Sequence, residues 1–232
     1  MPFEIAFLLY PDLTQLDLTG PAQVLSRMSG TRVHFVAASL APVPSDCGLS
    51  LVPTVTFAGC PSLDLVCVPG GYGCVAAMED APTIAWLRAQ AEHAGWITSV
   101  CTGSLVLGAA GLLAGYRAAC HWAWRDLLPH FGAIPSDERV AIDRNRITGG
   151  GVTAGIDFAF AVVSQLRGRD EAEALQLALE YDPQPIGGGT PGTARPEVLA
   201  RVQALLASRL APYRARIAAL GPPPQPPQLP QP

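Results

Sequence analysis

The chain has 232 residues, 49% of them hydrophobic and 15% charged, with a formal net charge of −4 at pH 7. That balance supports a large buried core in one α/β domain and sets aside intrinsic disorder for most of the chain. There is no lysine and no basic stripe, which excludes Schiff-base chemistry and argues against a nucleic-acid partner.

Taken in order, the apolar run Glu4–Tyr10 predicts a first strand buried on both faces. It shows no basic leader, so the N-terminus reads as a strand and the chain as cytoplasmic. No apolar run is long enough to span a bilayer, so no membrane partner is expected. Thr19-Gly20-Pro21 predicts a helix start with Thr19 as N-cap, running to about Met28. Arg32–Ala38 is a second strand, and Val43–Phe57 a short hairpin or irregular excursion. Leu63–Val68 is a buried strand stopped by Pro69-Gly70-Gly71. Pro82–Ala94 has helical periodicity, Trp96–Val100 is a strand, and Gly103–Leu113 an apolar helix.

Further on, His121–Phe131 predicts a short helix, and Arg139–Asp143 with Arg146–Thr148 a hairpin around Arg144-Asn145. Thr153–Leu166 and Asp170–Tyr181 are expected helices, the second capped by Asp170. Arg195–Leu220 has a helical pattern broken near Pro212. The expected organisation is an α/β domain over residues 1–192, a helical extension over 193–221 and an extended, mobile Pro-rich tail over 222–232. Strands alternating with helices imply a mostly parallel sheet with helices on both faces, and ligands in such sheets bind at the carboxyl ends of the strands.

Three chemical candidates fall at such ends. Cys101 follows Trp96–Val100 and precedes Thr102-Gly103-Ser104, the pattern of a nucleophile elbow. A helix N-terminus beneath the sulfur would favour a thiolate. Gly70 and Gly71 could let a substrate approach closely and offer N–H groups to it, although on this pattern alone an ordinary glycine turn after a strand is the better explanation. Asp17 is either a helix-capping carboxylate or a carboxyl group held against the sulfur. The other cysteines (Cys47, Cys60, Cys67, Cys74 and Cys120) read as reduced, structural thiols, and the histidines show no ligand spacing, so no metal is expected.

Together, Pro69-Gly70-Gly71, Val100–Ser104, His121-Trp122 and Ala154–Phe160 resemble the DJ-1/PfpI superfamily, from the first strand to about Leu179. Leu16–Pro21, Gly70–Gly73 and Cys101-Thr102-Gly103 are similar to the members that hydrate isonitriles. The resemblance implies a flavodoxin-like sandwich, a homodimer, no cofactor, and an isonitrile substrate converted to an N-substituted formamide. It implies Cys101 as nucleophile, Asp17 as general acid/base and Thr102 as a neighbouring hydrogen-bonding residue. The expected resting state has Asp17 protonated and donating to a Cys101 thiolate. Gly70, Gly71 and His121 are the candidate substrate contacts, His121 being either a pocket base or a hydrogen-bonded histidine at a helix start. Thr102 stands where the proteases and glyoxalases of the superfamily carry histidine. A glyoxalase or hydrolase activity, and a non-catalytic small-molecule or redox sensor, are the alternatives.

Overall fold

The computed structural model describes residues 1–225. Strand β1 (Phe3–Leu8) is the apolar run expected of a central strand, buried from Ile5 onward. Helix α1 (Gln15–Leu25) follows, then β2 (Thr31–Ala37), the short hairpin β3 (Val43–Pro44) and β4 (Ser50–Leu51), and the edge strand β5 (Val55–Thr56). Next come β6 (Leu65–Val68), α2 (Cys74–Glu79), α3 (Ala81–Ala91), β7 (Trp96–Val100) and α4 (Gly103–Ala109). A small parallel pair, β8 (Arg117–Ala118) and β9 (Ile134–Pro135), flanks a 3₁₀ turn at Arg125–Phe131. The hairpin β10 (Val140–Asp143) and β11 (Arg146–Gly149) leads into α5 (Ala154–Arg167), α6 (Arg169–Ala178) and α7 (Pro196–Ala219).

The main sheet has seven strands in the order β10-β11-β7-β6-β1-β2-β5. Every neighbouring pair is parallel except β10 against β11. Helices α1, α5 and α6 pack together, and α2, α3 and α4 form a second group. This is the α/β architecture expected, a mostly parallel sheet flanked by helices.

Several boundaries differ from expectation for identifiable reasons. Helix α1 begins at Gln15, with Thr14 at its N-cap, so Thr19 is not a cap and Pro21 lies inside. Proline normally breaks a helix interior, but here its ring packs on Gly155 of α5, and tertiary burial overrides the local cost. Helix α7 likewise runs unbroken through Pro212, anchored by the buried Leu210 and Ile217. Helix α4 stops at Ala109, where Gly111 turns left-handed at φ +75°. The segment after His121 is a 3₁₀ turn from Arg125, with Pro129 inside it. Gly168, not Asp170, occupies the N-cap of α6. The six-residue α2 has no counterpart among the expected elements. Of the Pro-rich tail, residues 226–232 lie outside the described residues. Before them, Arg88 donates to the Gln225 carbonyl at 3.0 Å.

Candidate active site

The carboxyl ends of β1, β6 and β7 converge on the turn Pro69-Gly70-Gly71, where β6 crosses over to α2. Cys101 sits one residue beyond β7 with φ +59°, a left-handed conformation that is strained for a residue with a side chain. Its N–H donates to both Gly149 O and Gly150 O at 3.0 Å, tying the end of β7 to the end of β11. Two residues later, Gly103 starts α4 pressed against the Val68 carbonyl, where a methyl group has no room. The strand-to-helix turn expected around Cys101 is therefore present.

Asp17 lies on the first turn of α1 and is fully buried. Its Oδ2 accepts from the Gly70 N–H at 3.0 Å, while Oδ1 has no hydrogen-bond partner. Gly70 is the point where the groups meet. A methyl group there would lie 2.5 Å from Thr102 N, 2.7 Å from Asp17 Oδ2 and 2.7 Å from Cys101 Cβ. Only glycine lets a carboxyl group from α1 and a sulfur from the β7–α4 turn share this space.

The expectation that Gly70 and Gly71 present free N–H groups is not met. The Gly70 N–H serves Asp17, and the Gly71 N–H donates to Thr102 Oγ1 at 2.9 Å. Thr102 in turn donates to Gly71 O at 3.1 Å, so its hydroxyl clamps the Gly71 residue at both its N–H and its carbonyl. The turn is held elsewhere too: the Tyr10 hydroxyl donates to Pro69 O at 2.6 Å, and Thr14 N to Gly70 O at 2.9 Å.

A cleft of about 190 Å³ opens in front of the sulfur, lined among others by Gly71, Cys101, Thr102 and His121. His121 Nδ1 accepts from Ala123 N at 3.2 Å, and burial lowers the ring's pKa. The imidazole is thus neutral, with its proton on Nε2. Of the sequence candidates, Gly71, Cys101, Thr102 and His121 meet in this cleft, and Asp17 and Gly70 stand behind it. Thr14, Asp46, Tyr72, Trp124, Val152 and Leu206 complete the lining and were not singled out from the sequence. Tyr72 within Gly70–Gly73 and Trp124 beside His121-Trp122 carried a local signal; Asp46 and Leu206 carried none. A larger groove of about 500 Å³ between Ala38–Pro44 and α2 contains none of the candidate residues.

Burial dominates the electrostatics. It raises the Asp17 carboxyl from 3.8 to about 7, hydrogen bonds from the Cys101 side chain and the Gly70 N–H offsetting part of the rise. It also pushes the Cys101 thiol well up, with the Asp17 and Cys120 side chains adding to the effect. The backbone N–H groups of Val152 and Thr102 work the other way, favouring the thiolate. The direction for Cys101 runs against the expected thiolate, and that for Asp17 agrees with the expected protonated acid. In this dry setting the thiol keeps its proton, and Asp17 titrates near neutrality. Among the described residues, no group of three or more His, Cys, Asp or Glu side chains is placed to hold a metal ion. None of the described helices is long and apolar enough to cross a membrane.

The sequence pattern of the DJ-1/PfpI family matches residues 4–165. The chain belongs to the DJ-1/PfpI family. Within the family it is 55% identical over 195 residues to the isonitrile hydratase of Pseudomonas putida, covering 84% of this chain and 86% of that protein. It is 30% identical over 175 residues to a glutathione-independent glyoxalase of Caenorhabditis elegans, covering 73% of this chain and 92% of that protein. A THiJ/PfpI family protein from Pseudomonas syringae superposes with a TM-score of 0.88 at 46% identity, covering 94% of this chain and 90% of that one.

Proposed function

We propose that this chain is an isonitrile hydratase, adding water to the terminal carbon of an isonitrile and releasing an N-substituted formamide. The observation that carries the reading is the buried meeting of Cys101 with a protonatable Asp17 around Gly70, at the floor of a small cleft. The identity to the Pseudomonas putida enzyme supports the same reaction.

Isonitrile carbon bears a lone pair and accepts both a proton and a nucleophile. In the first step Asp17 delivers its proton to that carbon while the Cys101 sulfur bonds to it. The thiol proton passes to the carboxylate, leaving a thioimidate on sulfur and Asp17 again protonated. A carboxyl group suits this exchange because one oxygen can give a proton as the other takes one, and Oδ1 is free to do so. In the second step water adds to the thioimidate carbon and its proton reaches the imidate nitrogen through Asp17. The carbon–sulfur bond then breaks, the hydroxyl proton returns to sulfur, and the formamide departs. Dividing the hydration this way replaces one difficult addition with two easier ones.

Thr102 positions Gly71, which lines the cleft with the sulfur, and His121 lines it with a neutral ring whose remaining donor is Nε2–H. Gly70 and Gly71 contribute shape rather than hydrogen bonds. Residues 1–192 carry the reacting groups, and α7 is an extension that adds Leu206 to the lining of the cleft. The protein acts as a homodimer in the cytoplasm, which sedimentation of the full chain and cell fractionation test.

Incubation with benzyl isonitrile, followed by NMR, tests the activity. Formamide from the intact protein, with at least a hundredfold loss in Cys101→Ala, is expected. No formamide from intact protein overturns the reading. Turnover surviving in Cys101→Ala overturns the covalent route. Conversion of a 2-oxoaldehyde instead would favour the glyoxalase alternative.

A further inference from the structure

The last helix among the described residues, α7, contributes Leu206 to the lining of the cleft. Helix α7 is pinned on both sides of it. On one side Arg214 donates to the Asp126 carboxylate at 2.7 and 2.9 Å and to Ala123 O at 2.5 Å, residues that flank Trp124. On the other, Arg216 pairs with Glu79 at the end of α2, the helix that follows Tyr72. Next to these anchors, Tyr213 joins an aromatic cluster with Tyr72 and Trp124. Its ring lies 5.6 Å from Tyr72 and 5.9 Å from Trp124, which are themselves 6.4 Å apart. One turn pair earlier on the same helix, Leu206 enters the lining of the cleft beside Tyr72 and Trp124.

The lining also has a definite charge character. It contains no arginine, its one histidine is neutral, and its one ionisable acid is Asp46, with Asp17 buried behind. On α7 the Arg209 guanidinium sits over the Tyr72 ring at 5.7 Å and lines a separate pocket, which shares Tyr72 and Asp46 with the cleft and adds a second carboxylate, Asp12. An anionic substituent inside the cleft would lose its water and meet no cation among the lining residues.

We propose that α7 carries the substrate-selecting wall: Leu206, with Tyr72 and Trp124, receives the apolar N-substituent of an uncharged isonitrile, and the acidic lining rejects isonitriles that bear a carboxylate. This rests on the isonitrile reading above and specifies its substrate class. Leu206 acts on binding of the substituent, not on the reacting carbon, so its effect belongs in KM and in the ratio between substrates.

The test is steady-state kinetics on the full chain with methyl isonitrile, benzyl isonitrile, isocyanoacetate and the methyl ester of isocyanoacetate. The ester and the free acid differ in charge at nearly constant size, and the ester is expected to have a kcat/KM at least about tenfold higher. Leu206→Ala is expected to raise KM for benzyl isonitrile about tenfold with a smaller change in kcat, and to affect methyl isonitrile much less. Leu206→Phe, which fills the cleft, is expected to shift preference from benzyl toward methyl isonitrile. Equal loss on both substrates in both variants, or a fall in kcat at constant KM, overturns the selecting role. Equal kcat/KM for acid and ester overturns the charge rule. If no isonitrile is consumed at all, the isonitrile reading fails and this inference fails with it. Turnover without discrimination sinks the inference alone.

Discussion

Asp17→Asn separates the energetic role of the buried carboxyl from its chemical one. In the folded chain the carboxyl titrates at about 7, against 3.8 when exposed. Below pH 3.8 both folded and unfolded chains are protonated there, and Asp17 contributes no pH dependence. Between 3.8 and about 7 the unfolded chain releases a proton that the folded chain retains, so stability falls as pH rises. Above about 7 both are ionised and the loss is complete. Its size is about 4 kcal/mol, since each pKa unit corresponds to about 1.4 kcal/mol. Asparagine can still accept from the Gly70 N–H and has no charge to bury, while any cost of its unpaired amide is independent of pH. Urea denaturation of both proteins from pH 4 to pH 8.5 is the assay. The stability of Asp17→Asn relative to the parent should climb through this window, by up to about 4 kcal/mol, then level off. The variant should lose catalysis at every pH. A relative stability that stays flat with pH, or falls as pH rises, would refute the assignment of a buried, protonated carboxyl.

Iodoacetamide labelling followed by mass spectrometry should modify the exposed Cys47 first at pH 7, with Cys101 slow and accelerating as pH rises, because burial raises its thiol; rapid labelling of Cys101 at pH 6 would instead reveal a resting thiolate. Gly70→Ala drives a methyl group into Thr102 N, Asp17 Oδ2 and Cys101 Cβ, so activity should drop at least a hundredfold, with a stability loss of about 1–3 kcal/mol by thermal melting. Thr102→Val keeps the shape but removes the hydroxyl from the Gly71 N–H, and should destabilise the fold by about 1–3 kcal/mol. Unchanged stability in Thr102→Val would show that Gly71 finds another partner.

The sheet was legible because its central strands are short apolar runs ended by glycine and proline, as at Leu65–Val68 before Pro69. Cys101 was legible for the same local reason: a strand, one cysteine and then small residues can be joined only by a tight turn. Asp17 was located only as a residue following β1. Its place inside α1 was hidden by Pro21, which locally argues for a helix start and is accommodated only by packing on α5. Leu206 and Asp46 could not be found at all, because nothing near them in sequence marks a cleft and only long-range folding brings them to it. The raised Asp17 carboxyl agrees with the expected protonated acid, whereas the raised Cys101 thiol runs against the expected thiolate, because a pattern of residue types shows proximity but not dryness. Desolvation is a property of the whole packed surroundings.

The turn Pro69-Gly70-Gly71 has its polar backbone groups committed in advance: Pro69 O to Tyr10, Gly70 N–H to Asp17, Gly70 O to Thr14, and both the N–H and the carbonyl of Gly71 to Thr102. It therefore behaves as a preassembled jig. Carboxyl and sulfur are aligned during folding, and substrate binding need not reorganise them. What remains to be ordered in each catalytic cycle is the substrate and one water molecule, so the entropy of arranging the reacting groups is met once, when the chain folds, rather than at every turnover.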